Sequence, residues 1–386
     1  MAEQYKLQMP RYTYAGENAL SHICSIVQTY HKVAVFTDKG VEGAGLLNLI
    51  TDQIQKADRK YVIFDDLATE PSYRQVQSNV DEFIASECDF IIAVGGGSVM
   101  DAAKLASILA TDEYKVKDLL NTPLLAKKLV PSMMIPTTAG TGAEVTFNAI
   151  VAIPEREVKF GIVNPAMTTD FIILDPQMIR NLPKKIAAAT GVDALCHAVE
   201  CFTCKKANPF SDLFALEAAD LILNHIEKAC SDPDAMADKM AMQIAAFYAG
   251  EAIVCSGTTA VHGLSYPLGG KYHISHGVSN AMLLIPVMKF NLPEIRERLS
   301  LIYDRAVKKE RICRSVDEKS DYVIQWMEQI VKNLEIPVSL EEFNVPKTDL
   351  GWLVSAGMEQ QRLLSNNVRE VTAQDAEAIY RSIMNY

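Results

Sequence analysis

Short apolar runs punctuate the first half of the chain at a spacing that leaves little choice of fold. VAVF at 33–36, YVIF at 61–64, FIIAV at 90–94 and MMIP at 133–136 are rich in β-branched or bulky apolar residues, and amphipathic helical windows separate them. Strands that alternate with helices pair in parallel, because each crossover must carry the chain back to the same end of the sheet. The first three runs recur at intervals near 30 residues, but the helices between them share no sequence, so the period reports βα units and no true repeat. FNAIVAI and VKFGIV, separated by PERE, read as a hairpin, and FIILDP closes the strand-rich half. From Lys184 onward helical periodicity runs almost throughout, with caps and breaks expected at SDPDA, SGTT, YPLGG and NLPE.

A chain of 386 residues exceeds what one hydrophobic core usually serves. Two domains are expected: an α/β domain with a mostly parallel sheet over 1–180 and an all-helical domain over 181–386, meeting near Asp175 to Pro183. No linker-like segment separates them, which predicts direct packing and a cleft between the halves. The hydrophobic content of 49% is ample for both cores, and a net charge of −11 argues against nucleic acid or an anionic membrane as partner. Eight cysteines lie scattered, which suits a reducing cytosol; Cys201 and Cys204 form a CxxC with no second pair to complete a zinc knuckle. The N-terminus MAEQYKLQMPRYTY has no basic and apolar leader pattern, and no run reaches the length of a membrane span, so a cytoplasmic protein is expected.

Two loops and one set of side chains carry chemistry. FIIAVGGGSVMDAAKLAS leads from a buried strand through Gly95, Gly96, Gly97 and Ser98 directly into a helix, where free N–H groups and the helix dipole favour an anion. A tight turn would need fewer glycines, so phosphate binding is the stronger reading. The loop IPTTAGTGAEVT places the hydroxyls of Thr137, Thr138 and Thr141 at the carboxyl end of the next strand, where sheets of this type bind ligands. Asp38, in VAVFTDKG, stands where an acid can bond a ribose diol, although a turn-forming Asp before Gly40 is equally natural. In the helical half, Asp193 and His197 are four residues apart in ATGVDALCHAVECF, and His262 and His276 follow in HGLSYPLGGKYHISH. An i, i+4 pair projects from one helical face, so these four donors can grip one divalent metal. Each also suits a bland role, as a core histidine or a helix-start acid. His22, His31 and His225 lie in surface-like contexts and read as structural.

Taken together, GGGSVMDAAK, PTTAGTGAE, ATGVDALCHAVE and HGLSYPLGGKYHISHGVSNAMLL resemble the iron-containing (group III) alcohol dehydrogenases, in order and over nearly the whole chain. The resemblance implies a dinucleotide-binding α/β domain followed by a helical metal-binding domain, a fold shared with dehydroquinate synthase. It assigns Asp193, His197, His262 and His276 as metal ligands, Gly96, Gly97 and Ser98 to the pyrophosphate, and Asp101, Thr137, Thr138, Thr146 and Lys159 to the nicotinamide half. Asp38 matches the acid associated with NAD over NADP. Iron(II) is implied, with zinc as the alternative, and the assembly is expected to be a homodimer or larger homo-oligomer.

Departures from the family pattern fall at the proton relay. Many members carry a histidine where this chain has Tyr266, four residues after His262, and a phenol is a poorer acid–base group at neutral pH. Tyr266, His273 and Asp101 are the candidate catalytic residues. EPSY (Glu70 to Tyr73) and NVR (Asn367 to Arg369) replace the frequent EPNP and NPR. Residues near Phe147, Asn148, Ile253, Val254 and Leu363 are expected to shape a mostly apolar pocket. The expected reaction is hydride transfer between a nicotinamide and a small alcohol or its aldehyde or ketone. Rivals are a lyase or cyclase of the same fold that recycles NAD, a hydroxyacid–oxoacid transhydrogenase, and a non-catalytic metal or nucleotide binder.

Overall fold

The computed structural model describes residues 4–67, 70–111, 113–156, 158–308 and 312–384. The chain divides into two compact units, Gln8–Leu182 and Pro183–Tyr386, the latter joined by Met1–Leu7. Among the described residues, six parallel strands form the sheet of the first unit: β1 (Tyr12–Ala15), β2 (Lys32–Phe36), β3 (Lys60–Phe64), β4 (Phe90–Gly95), β5 (Ser132–Pro136) and β8 (Phe171–Leu174). β6 (Asn148–Ile153) and β7 (Val158–Val163) pair antiparallel as a separate ribbon, which is the expected hairpin. β1, a short YTYA edge strand beside β8, went unread in the sequence because four largely exposed residues carry no clear period.

The strand order is β1-β8-β5-β4-β2-β3. From β2 the chain moves outward to β3, then returns to the other side of β2 as β4 and continues away through β5 and β8. The order therefore reverses between β2 and β4, and a crevice forms at such a switch beyond the carboxyl ends of the strands. Both sheet faces are covered, so β4 is buried along its whole length. Val33 and Val35 pack with Ile50, Ile54, Ile92 and Val94 on one face, whereas Phe36 turns to the other and meets Phe64 and Phe83. That alternation is the period of two that a strand imposes.

Numbering helices of eight residues or more among the described residues, the first unit holds α1 (Leu46–Lys56), α2 (Tyr73–Ser86) and α3 (Gly97–Ile108). The second holds α4 (Lys184–Thr203), α5 (Pro209–Ser231), α6 (Met236–Ser256), α7 (Ala260–Tyr272), α8 (His276–Ala306), α9 (Val316–Asn333), α10 (Leu350–Met358) and α11 (Ala373–Met384). Local chemistry starts several of them. Ser72 with Gln75 and Ser315 with Glu318 close capping boxes on α2 and α9, and Asn208 caps α5 ahead of Pro209. Breaks fall at SDPDA and SGTT as expected, but not at YPLGG or NLPE: α7 runs through Pro267, and α8 runs through Pro286 and Pro293. Proline in a helix costs about 3 kcal/mol. Burial of one whole side of each helix outweighs that loss, because both carry apolar residues to the core before and after the proline. No single helix among the described residues is long and apolar enough to cross a membrane.

A buried cation ties the first unit together. Lys104 on α3 is fully buried, and its Nζ pairs with Asp101 Oδ1 at 2.8 Å. The same ammonium donates toward the carbonyls of Ala143 (3.0 Å), Thr146 (3.3 Å) and Asn148 (2.5 Å), while the N–H of Ile150 donates to Asp101 Oδ2 at 2.9 Å. Helix, threonine loop and hairpin thus share one charge. Lys104→Met removes the cation and leaves Asp101 buried, so it should lower the unfolding free energy by about 3–5 kcal/mol, read as a shift of the urea midpoint followed by circular dichroism.

Candidate functional site

Helix α4 brings Asp193 and His197 to one face, and α7 and the first residue of α8 bring His262 and His276 to meet them. Their donor atoms all lie within 4.8 Å of one another. From Asp193 Oδ1, the Nε2 atoms of His197, His262 and His276 stand at 3.8, 3.7 and 3.6 Å. Metal–ligand arms of about 2.0–2.2 Å place tetrahedral ligands about 3.3–3.6 Å apart, and the three distances from Asp193 come close to that spacing, as one small divalent ion requires. Asp193, His197 and His262 are buried and the His276 side chain is one-third exposed. Three imidazole nitrogens and a carboxylate converging in a dry interior repel one another unless positive charge joins them. Burial pushes the Asp193 carboxyl up, but the charges of His197, His276 and His262 outweigh it and hold it well below the usual range.

Two residues absent from the sequence reading build this geometry. Glu200 lies one turn beyond His197 and is fully buried. Its Oε1 accepts from Thr259 N–H (3.0 Å), Thr259 Oγ1 (2.6 Å) and Val261 N–H (2.9 Å), and its Oε2 accepts from His262 Nδ1. One carboxylate thereby caps the start of α7 and fixes the His262 proton on Nδ1, which leaves Nε2 bare and facing the cluster. Gly277 is the second: a Cβ there would stand 2.3 Å from Ala189 O, so only glycine lets the start of α8 approach α4 closely enough to deliver His276. The i+7 spacing from Asp193 to Glu200 was visible as a third polar position on the helix face, but an isolated Glu there gave no hint of its partner.

In the α/β unit, Gly95, Gly96 and Gly97 have separate reasons to be glycine. A Cβ at Gly95 would strike Val99 at 2.7 Å, and one at Gly97 would crowd Thr141 at 3.1 Å. Gly96 has an ordinary φ of −84° as the N-cap of α3, and its nearest neighbour, the Thr138 side chain, would lie at 3.9 Å. Neither backbone nor packing needs glycine there. An open space over Gly96, bordered by the first N–H groups of α3 and by Thr138, is what close approach of a phosphate requires. Thr137 is buried with its N–H bonded to Gly95 O, and Ser98 Oγ accepts from the N–H of Glu70 at 3.2 Å. Glu70 in turn pairs with Lys159 at 2.6 Å. Asp38 follows β2 on the other side of the switch point and caps the short helix Lys39–Gly43 through Oδ1, at 2.8 Å from Gly40 N and 3.0 Å from Val41 N.

The comparisons with known proteins bear on both sites. Residues 10–176 match the description "Iron-containing alcohol dehydrogenase", and residues 187–384 match "Fe-containing alcohol dehydrogenase family, C-terminal". The chain belongs to the iron-containing alcohol dehydrogenase family. It is 32% identical over 382 residues to long-chain-alcohol dehydrogenase 1 of Geobacillus thermodenitrificans (strain NG80-2), covering 98% of this chain and 96% of that one. It is 31% identical over 354 residues to the NAD-dependent methanol dehydrogenase of Bacillus methanolicus, covering 92% of each. A crystal structure of 1,3-propanediol oxidoreductase matches with a TM-score of 0.93 at 29% identity, over 99% of this chain and 100% of that one. As a member of this family the chain is an oxidoreductase that interconverts alcohols with aldehydes or ketones, and the parallel-sheet and helical units are the family's fold.

Within the iron-containing dehydrogenase frame, the remaining sequence candidates separate. The Tyr266 ring lies 6.0 Å from that of His276, partly buried. His273 is exposed, in a left-handed conformation (φ 55°) at the C-cap of α7. Asp101 and Thr146 both face Lys104, and Asp101 has each oxygen engaged. Phe147 and Asn148 begin the hairpin region of the first unit; Ile253 and Val254 are half-buried on α6, and Leu363 is buried. His22 stacks on Tyr14, and His225 pairs with Asp238, so both have structural partners, while His31 is exposed. All eight cysteines are free thiols, and burial raises the Cys201 and Cys204 thiols.

The threonine loop also buries Glu144, whose carboxyl is pushed up to about 7 by desolvation, with Lys104 pulling the other way. A folded-state value above the unfolded one means that the folded protein holds the extra proton between about pH 4.5 and 7, so stability falls as pH rises through that window. Glu144→Gln, neutral at every pH, should raise the unfolding free energy by about 1–3 kcal/mol near pH 8 and change it little near pH 4, as measured by denaturant melts at both values.

Proposed function

We propose that the enzyme is NAD-linked and iron-dependent, with zinc as the alternative metal, and that it reduces small uncharged aldehydes or ketones and oxidises the matching alcohols. The convergence of Asp193, His197, His262 and His276 is the observation that carries this reading. Nitrogen donors with one carboxylate and no thiolate suit iron(II) or zinc, and the family description favours iron. Such an ion supplies Lewis acidity toward an alcohol or carbonyl oxygen. The chain's own residues then set the conditions. Asp193 and His197 hold one half of the donor set from a single helix, while Glu200 orients His262 and Gly277 lets His276 approach.

For the nucleotide, the open space over Gly96 with the N–H groups of Gly97 and Ser98 suits a pyrophosphate. Thr137 and Thr138 border it, and Lys159 is linked to it through Glu70 and Ser98. Asp101 and Thr146 serve by holding the threonine loop on Lys104. Asp38 at the switch point favours a ribose diol and disfavours an added phosphate, which supports NAD over NADP. The similar methanol dehydrogenase is named NAD-dependent. Among the candidate relay groups, Tyr266 has its ring beside His276, so the phenol takes that role in this reading, with His273 exposed and Asp101 engaged elsewhere. A cytoplasmic homo-oligomer completes the reading. The family match favours a dehydrogenase over a lyase, a transhydrogenase or a non-catalytic binder.

Protein loaded with iron(II) or zinc should oxidise NADH when given short aldehydes, and His262→Ala should lose both bound metal and turnover. Silence across a broad aldehyde and ketone panel would overturn the proposal. Gly96→Ala makes only an ordinary contact with the Thr138 side chain, at 3.9 Å, so it should change the unfolding free energy by no more than about 1 kcal/mol. Its KM for NADH should nevertheless rise by about tenfold or more, equivalent to about 1.4 kcal/mol of lost binding. An unchanged KM would remove the phosphate from the glycine loop.

A further inference from the structure

We infer that Asn280 is a positioning residue of the metal centre: its amide holds Asp193 for the ion and covers the face formed by Asp193, His262 and His276. An exogenous oxygen then reaches the ion only across a face that includes His197. The inference rests on the reading that this cluster binds a divalent ion.

Asn280 lies one turn after His276 on α8 and is fully buried. Its Nδ2 stands 2.6 Å from Asp193 Oδ1, 3.1 Å from His262 Nε2 and 3.1 Å from His276 Nε2. An amide nitrogen has two hydrogens, and here one carboxylate oxygen and two imidazole nitrogens surround it. Its orientation follows from its neighbours. Glu200 takes the Nδ1 proton of His262, so Nε2 offers only a lone pair, and Asp193 Oδ1 likewise accepts. Turning the amide over would set its carbonyl against the carboxylate.

This orientation leaves Asn280 Oδ1 buried without a hydrogen-bond partner among the described residues. Buried polar atoms are nearly always paired, so an orphaned carbonyl marks an amide held for the sake of its nitrogen. The structural asparagines of this unit behave differently. Asn366 donates to the carbonyls of Ser256, Gly257 and Thr258 and accepts from Lys206 N–H, and Asn367 both donates to and accepts from Asn291. Asn280 alone of these three gives up one end.

Two consequences follow from the placement. The partial positive charge on the amide offsets the repulsion among converging lone pairs, which keeps the donors gathered before an ion arrives. A tetrahedral donor set has four faces, and the amide stands over the one that lacks His197. The other three share His197, so that residue borders every remaining approach.

The test uses cobalt(II) as probe, added to the metal-free full-length protein, with affinity read by competition against a chromophoric chelator and geometry read from the visible ligand-field bands. Asn280→Ala should bind cobalt(II) about 10–100-fold more weakly than wild type, and its bands should shift and weaken as water enters the uncovered face. Asn280→Leu, which fills the face but donates nothing, should lose affinity while keeping the wild-type spectrum. Circular dichroism of each metal-free variant establishes that it folds, and either variant alone suffices to read affinity. Affinity within about threefold of wild type together with an unchanged spectrum in Asn280→Ala, or tighter binding, overturns the inference alone. A wild-type protein that takes up no cobalt(II) removes the metal reading and the inference with it.

Discussion

Two buried carboxylates on one helix set the terms for the helical unit. Asp193 and Glu200 lie two turns apart on α4, both out of contact with water. An ion in a protein interior carries a penalty of several kcal/mol unless donors replace its hydration. Glu200 finds four, all from the segment that starts α7. That segment follows the bend of 106° between α6 and α7, where Gly257 takes a φ of 79°. The bend and the carboxylate need each other: the turn exposes the first N–H groups of α7, and Glu200 satisfies them. Asp193 draws instead on Asn280 and the histidines, which ties α8 to the same helix. The histidines therefore arrive in register because the acids on α4 need partners from two other helices.

The α/β unit solves the opposite problem with the opposite charge. Lys104 is a buried cation whose partners are mostly carbonyls of the loop after β5 and of the hairpin's first residue. The carbonyls of Ala143 and Thr146 belong to irregular backbone outside any strand or helix, and that of Asn148 opens β6. Holding that loop also fixes Thr141 against Gly97, and so the floor of the glycine turn. A sheet places the turn at its switch point, but a lysine behind it gives the turn its shape. On the reading proposed above, the metal side depends on Glu200 and the nucleotide side on Lys104, each an inward-facing charge that touches neither group.

The strands, the helical second half and the four donors were legible in the sequence because each follows a short-range rule. Strand runs show composition, helices show period, and Asp193 with His197 shows the spacing of one helical turn. Strand order was not legible, since parallel pairing joins segments far apart in sequence, and without it the nearness of Asp38 to the glycine loop had no warrant. Glu200, Asn280 and Lys104 escaped for a related reason. Each is an ordinary polar residue on a helix, and only its partners, roughly 40 to 90 residues away, give it meaning. Proline misled in α7 and α8, because local rules price its lost hydrogen bond and tertiary burial offsets it. Asp101 carries a task that the motif did not announce: Lys104 and the N–H of Ile150 engage both of its oxygens, each of which keeps a second acceptor site.

Tyr266 gives the site a direction. On the reading proposed above, its ring stands beside that of His276, at the position where the family pattern that the sequence resembles has histidine. Imidazole near neutral pH both gives and takes a proton, so it serves alcohol oxidation and carbonyl reduction alike. A phenol has an ordinary value of about 10 and keeps its proton at neutral pH. It can donate to an oxygen that gains negative charge as a carbonyl is reduced, but it cannot readily accept the proton that an alcohol must lose. On that reading, a phenol in place of an imidazole favours the proton step of carbonyl reduction over that of alcohol oxidation. The donor set beside it is unaffected, since Tyr266 supplies no ligand atom. If Tyr266 is the relay, a single side chain sets the balance between the two directions while the hydride chemistry stays the same.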